Sequence, residues 1–490
     1  MGARFFFPSL LGDVVVPAIF GGHDHDDDDL REKSILFMLR HFVHRLSVAA
    51  FRIAFWRLCM EVRKPRHRAM ATGISAVVGL LAVLVLATVL GGARARVADQ
   101  RRLPTTSVRH DAERNGGGPN LVDGQAAGNL TALLLDLSDW ILQLGLGENV
   151  LQNVSGCNDS IFINGNLARV LVGVYRLTGN ETHLDEALAW CDTFAALQEH
   201  VNTTDGEPGG YWGTGYPVPG PLGDIYLGDT GTATTALAVC YPYSLTNASR
   251  HEAYMQALRR YTNFVRYGCT VAPPGRGTQS SPGWVIASGP SKGALGCGYY
   301  EGHLSLQPYT IATATTGAAY FAEMYSIRNL ADDLGTAWNA MSWIATTIYA
   351  ANGTIPYILD GTTYPSMWVL DTISYVTEGL IALDHFTPNY RAQLARMYRP
   401  VLDWLVAHQN ADGSWGTLRS DDQQRSPRVV TLLSWYTAKI ARESAITTAI
   451  SRYAAFLTAN GAEYGVKNLT ITSGFVGLVV LDILQYGITL

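Results

Sequence analysis

What joins the helices of this chain alternates, and the alternation leaves few folds open. From residue 127 onward, apolar residues recur at helical spacing in twelve stretches: 127–146, 161–178, 182–201, 230–243, 248–267, 308–327, 329–349, 366–385, 389–409, 427–441, 443–459 and 471–486. Five connections are short turns (Leu177 to Thr182, Ser244 to Asn247, Ile327 to Asn329, Thr387 to Asn389, and Arg442), so the helices they join are antiparallel neighbours. The others are long and rich in Gly, Trp, Tyr and Asp. Helices that follow a long connection are poor in charge, as in TATTALAVCYPY and RVVTLLSWYTAKI, whereas those that follow a short turn carry it, as in RHEAYMQALRRYTNFVRYG. A helix apolar all round is buried and an amphipathic one faces water. The pattern predicts an all-α domain with an inner ring of helices inside an outer ring.

The first short turn adds a likeness. Tyr175-Arg176-Leu177-Thr178-Gly179-Asn180-Glu181-Thr182-His183-Leu184-Asp185-Glu186-Ala187 resembles the inner-to-outer turn of six-hairpin glycosidases, in which an aromatic, Thr-Gly-Asp/Asn and Leu-x-x-Ala recur. Weaker echoes stand at Tyr243 to Ala253 and Tyr325 to Leu334. The resemblance implies an (α/α)6 barrel over residues 127–490 and a carbohydrate-active protein. Asp412 to Gly416 (DGSWG) is similar to turns that pack between helices in terpenoid cyclases and other toroids.

Residues 69–93 run for 25 positions without a charge. As a helix rising about 1.5 Å per residue they cover roughly 37 Å, enough to cross a hydrocarbon core of about 30 Å. They read as a transmembrane signal anchor, with 1–68 as a basic, amphipathic cytoplasmic tail and 94–126, polar and aperiodic, as a flexible stem. Basic residues on both flanks orient the segment only weakly. Glycosylation acceptors orient it better: Asn129, Asn153, Asn158, Asn180, Asn202, Asn247, Asn352 and Asn468 are eight of the nineteen asparagines beyond it. The expectation is a single-pass type II membrane protein of the secretory pathway or cell surface with a lumenal or extracellular domain. A second reading starts at Met60 or Met70 and takes Ala93-Arg94-Ala95 as the cleavage site of a signal peptide, which makes the protein secreted.

Residues 1–68 contribute +3 and the remainder −8 to the net charge of −5, which leaves no basic domain for nucleic acid. Arg31 to Met60 mixes Arg and His with Leu, Phe and Trp, as a membrane-surface helix does, and equally fits a poorly selected tail. His23, His25 and Asp26 to Asp29 read as a solvated acidic run, and neither a metal nor a cofactor is expected. Five of the six cysteines lie beyond residue 93, where oxidation is permitted. Cys269 and Cys297 bracket a Gly/Pro/Ser-rich loop and form the expected disulfide.

In toroids of this kind the loops from outer to inner helices gather over one mouth, and here they hold aromatics and acids. Aromatic faces stack on sugars and carboxylates move protons. The candidate catalytic residues are Asp229, Glu301, Asp371 and Asp422. The candidate glycan-binding residues are Trp212, Tyr216, Trp284, Tyr300, His303, Tyr364, Trp368, Trp415 and Arg425. Each has a structural alternative. The aromatics can plug the barrel, Asp229 can be a helix N-cap, Asp422 can sit in a solvated turn, and His303 can satisfy a backbone carbonyl. Asp371, one turn into a charge-poor helix, needs a partner or a role.

The function expected is a glycoside hydrolase working through paired carboxylates on a glycan or polysaccharide. Two alternatives stay open. A lyase or epimerase of uronic-acid polymers would use Tyr299, Tyr300 or His303 as base with Arg425 and Arg428 against the substrate carboxylate. A glycan-binding or structural toroid would have no catalysis at all.

Overall fold

The computed structural model describes residues 124–144, 161–213, 225–271, 278–300, 303–350, 353–417, 423, 427–467 and 470–486. The tail 1–68, the apolar segment 69–93 and all but the last residues of the stem 94–126 lie outside them. No helix among the described residues is long and apolar enough to cross a membrane.

Six helices make an inner ring: α2 (Ile161–Thr178), α4 (Leu227–Cys240), a composite of α6 (Thr310–Ala312), a π-helix (Thr313–Tyr320) and α7 (Phe321–Arg328), then α9 (Val369–Phe386), α11 (Val429–Lys439) and α13 (Thr470–Gln485). Each packs on the next, and α13 packs back on α2, so the ring closes. Outside it stand α1 (Gly124–Gln143), α3 (Glu181–Ala196), α5 (Ala248–Tyr267), α8 (Ala331–Ala350), α10 (Arg391–Ala407) and α12 (Ser444–Tyr464). The domain is an (α/α)6 barrel, as the spacing of turns and charges predicts. Sequence dictates which ring a helix joins. Almost all of α4, LGDTGTATTALAVC, is buried, whereas α5 buries only Tyr254, Ala257, Leu258, Tyr261, Thr262, Phe264 and Val265 along one stripe.

The short turns share one chemistry. The N–H of Gly179 donates to the Tyr175 carbonyl at 2.7 Å with φ at +72°, and Asn180 then caps α3 by accepting from the Thr182 N–H. At the equivalent place Asn329, with φ at 53°, donates to the Tyr325 carbonyl at 2.7 Å. Both residues hold the left-handed conformation that ends a helix.

Beyond the all-α expectation, the described residues of the long connections include nine short strands in four antiparallel sheets. These are β1 (Glu199–Asn202) with β2 (Pro208–Tyr211), β3 (Ile225–Tyr226) with β6 (Leu295–Tyr300) and β7 (His303–Tyr309), β4 (Thr270–Val271) with β5 (Gln279–Ser280), and β8 (Tyr357–Leu359) with β9 (Thr362–Tyr364). β3 leads directly into α4 and β7 directly into α6, so the central sheet lies at the N-terminal ends of inner helices.

The cysteine pairing is corrected here. Cys269 and Cys297 are both thiols and no disulfide joins them. The loop between them is closed by the β4–β5 ladder instead, Thr270 opposite Ser280, with the Ser281 N–H donating to the Cys269 carbonyl. Cys297 stands apart in β6, beside the tyrosines of the mouth.

The lumen is bridged. α2 and α9 face each other across the ring, and Arg169 of α2 reaches Glu378 of α9 at 2.6 Å. Arg428 binds the other oxygen of Glu378 at 2.7 Å and Asp482 of α13 at 3.2 Å, while Thr431 donates to Asp482 at 2.8 Å. Burial raises the Asp482 carboxyl, with Arg428 opposing it. Buried ions persist because each has its counter-ion.

Candidate functional site

Asp229 and Asp371 occupy the same position in two inner helices: each is the third residue, of α4 and of α9. Asp229 is therefore not an N-cap. Tyr226 holds that place in α4, Tyr309 in α6 and Trp368 in α9, and none of the three caps with its side chain. A carboxylate in the first turn is favoured by the exposed N–H groups and the helix dipole by about 0.3–1 kcal/mol.

One composite inner helix stands between α4 and α9 and packs on both. Its π-helical part is wide, and glycines on both flanks accommodate it. A Cβ on Gly231 of α4 would lie 2.8 Å from the Thr316 backbone nitrogen, and one on Gly379 of α9 would lie 2.7 Å from the Ala318 Cβ. Thr316 and Thr315 fix the register by donating to the carbonyls of Leu227 and Gly228, at 2.6 and 3.0 Å. π-helical turns of this kind are frequent at functional sites.

Over the two aspartates lie Tyr309, at the end of β7, and Tyr357, in β8. Their rings meet edge to face, with centroids 6.0 Å apart. Gly228 makes room, since a Cβ there would be 3.4 Å from the Tyr309 hydroxyl. Thr310 locks the hairpin down by donating to the Pro356 carbonyl at 3.0 Å and accepting from the Ile358 N–H. Burial pushes the Tyr357 phenol up to about 12, with Asp371 and Asp229 adding to it. Tyr309 is raised well above the ordinary range by burial, then by Tyr357 and Asp229. The structure thus brings Asp229, Asp371, Tyr357 and Tyr309 into one electrostatic neighbourhood.

The Tyr364 ring lies 5.9 Å from that of Tyr357, tilted by 46°, and is half-buried, as is Trp368. Trp368 has φ at 54°, one of four non-glycine residues with positive φ among those described. Asp360, another, is accounted for by a two-residue hairpin turn with Gly361 at +73°. Trp368 has no such turn, and a bulky residue in this region is held there by its surroundings. His303 faces Asp360 at 3.6 Å, and Ser305 donates to the same carboxylate.

Three expected binding residues are structural. Trp212 is fully buried and its indole donates to the Phe194 carbonyl at 2.8 Å. Trp415 donates to Leu405 at 2.8 Å inside the DGSWG turn, which packs between helices as its resemblance implies. Trp284 is buried 5.6 Å from Phe264. A ring sealed in the core offers no face to a sugar. Glu301, Asp422, Tyr216 and Arg425 lie outside the described residues, as does the side chain of Tyr300. Sequence reading missed Tyr309; the signal was its position, an aromatic immediately before a charge-poor helix, which Tyr226 and Trp368 share.

No protein-family model matches the chain and no curated protein matches it. Solved structures similar to it include an α-1,6-mannanase from Salegentibacter sp. HEL1_6, at 12% identity over 74% of this chain and 99% of that one, with a TM-score of 0.45. A glycosyl hydrolase of family 88 from Bacteroides vulgatus shares 13% over 72% and 98%, with a TM-score of 0.47. The cellobiose 2-epimerase from Spirochaeta thermophila DSM 6192 shares 12% over 75% and 100%, with a TM-score of 0.49. The ring described above rests on this chain's own helix packing.

Proposed function

We propose that the protein is a glycoside hydrolase of the secretory pathway, with Asp229 and Asp371 as its catalytic pair. One arrangement carries this reading: two carboxylates stand at the third position of two inner helices that flank a third, and both add to burial in raising the phenol of Tyr357. In such a pair one carboxylic acid protonates the glycosidic oxygen as the bond breaks, and the other carboxylate attacks the anomeric carbon or activates water. Asp371, 4% exposed and closed off from bulk water, is assigned the part of the general acid. Asp229, half-buried in the opposite first turn, is the better base or nucleophile. Tyr364 and Trp368 are the aromatics placed to receive a sugar face.

The lyase or epimerase reading needs an ionisable base beside a cation. Burial first, with nearby carboxylates adding to it, raises the phenols of Tyr309 and Tyr357, and no cation is among the groups that act on them. Arg428 is turned into the ring by Glu378 and Asp482. Anchoring through residues 69–93 and glycosylation belong to the same proposal. Of the acceptors, Asn129, Asn180, Asn202 and Asn247 are exposed, as modification requires, and Asn153, Asn158, Asn352 and Asn468 lie outside the described residues.

The test is a panel of oligosaccharides incubated with the detergent-extracted full chain and with Asp229→Asn and Asp371→Asn. Each variant is expected to keep its circular-dichroism spectrum and lose about two to four orders of magnitude in turnover. Full hydrolysis by either well-folded variant removes that residue from the site. Binding without turnover by the natural chain establishes a lectin-like toroid instead.

A further inference from the structure

Cys191 lies on outer helix α3 and Cys240 ends inner helix α4, and both side chains are fully buried. Cys191 Sγ approaches the Ala236 carbonyl at 3.7 Å, and Cys240 Sγ approaches the Ala187 carbonyl at 3.9 Å. The two helices are therefore antiparallel neighbours, and each sulfur reaches the carbonyl one turn upstream of the other cysteine. A helical Cα–Cβ bond leans toward the N-terminus of its own helix. In this register Cys191 leans toward the level of Cys240 and Cys240 toward the level of Cys191. The two side chains therefore face each other across the interface, and both are free thiols in this structure.

We infer that Cys191 and Cys240 are joined by a disulfide when the chain folds in an oxidising compartment, a bridge that ties the outer ring to the inner one. Two thiols lose two protons and two electrons as the S–S bond forms. A disulfide acceptor takes them and leaves as two thiols. One cysteine attacks the acceptor as thiolate and forms a mixed disulfide; the second cysteine, also as thiolate, then displaces the acceptor's remaining sulfur. Burial, with Cys240 adding to it, raises the Cys191 thiol well above its ordinary range in the closed interface. Thiolate is the attacking species, so the exchange belongs to the stage before α3 and α4 close on each other.

The experiment uses the full-length chain, expressed through a eukaryotic secretory pathway and extracted in detergent. It is denatured in iodoacetamide without reductant, digested, and mapped by mass spectrometry. The peptides holding Cys191 and Cys240 are expected as one linked species that separates on reduction. Recovery of both residues alkylated, or of either linked to a different cysteine, overturns the inference. The mapping needs no variant. A second measurement compares melting of the natural chain and of the Cys191→Ala/Cys240→Ala variant, each with and without a phosphine reductant. Reductant is expected to lower the melting temperature of the natural chain by several degrees and to leave the variant unmoved. A natural chain indifferent to reductant counts against the bridge.

Discussion

Tyr357 reports on both carboxylates of the mouth. Burial comes first among the causes that push its phenol up to about 12, and Asp371 and Asp229 follow. Asp371→Asn is therefore expected to bring the Tyr357 titration back toward 10, read by the absorbance of tyrosinate, with the ring left in place. The sign for stability follows from linkage. A phenol whose pKa is higher folded than unfolded contributes stability that is whole below about pH 10 and is lost as the pH rises through about 12. Denaturant midpoints measured across that window should fall in the natural chain and fall less in Asp371→Asn. At this scale the sequence was only partly informative. Asp371 stood out because a lone acid in a charge-poor helix needs a reason. Trp212, Trp284 and Trp415 misled, because a tryptophan in a Gly-rich loop reads alike whether it stacks on a sugar or plugs a core.

Elements were more legible than residues. The inner helix expected at 366–385 spans Val369–Phe386 and the outer one at 248–267 spans Ala248–Tyr267, since twenty residues of periodic pattern outweigh local ambiguity. The strands escaped notice because pairs such as β3 or β4 are too short for a period of two to register. Three substitutions test how the elements are held. Asn329 ends α7 with a positive φ that glycine adopts freely, so Asn329→Gly should hold or raise stability while Asn329→Ala lowers it by about 1 kcal/mol. Gly231→Ala should cost about 1–3 kcal/mol, because its Cβ would press on the Thr316 backbone and spread α4 from the π-helix. Urea midpoints check all three. If Gly231→Ala also slows turnover beyond its loss of stability, the spacing between the two aspartates matters to the chemistry.

The whole molecule depends on closure. α13 seals the ring against α2, and it does so through glycines: a Cβ on Gly477 would sit 2.6 Å from Val170 Cγ2. A chain ending before Thr470 leaves the apolar faces of α2 and α11 uncovered, so it should lose cooperative melting and be degraded by protease under conditions the full chain survives. Arg428→Met is expected to destabilise the natural chain by about 3–5 kcal/mol, seen as a lower denaturant midpoint, because buried Glu378 and half-buried Asp482 would both lose its guanidinium. The same bridge also stiffens the ring across its width. Glu378 stands two turns along α9 from Asp371, about 10 Å, and its pairing with Arg169 ties two opposite inner helices together. The mouth therefore cannot widen by spreading α2 from α9 without parting an ion pair that has no water to replace it.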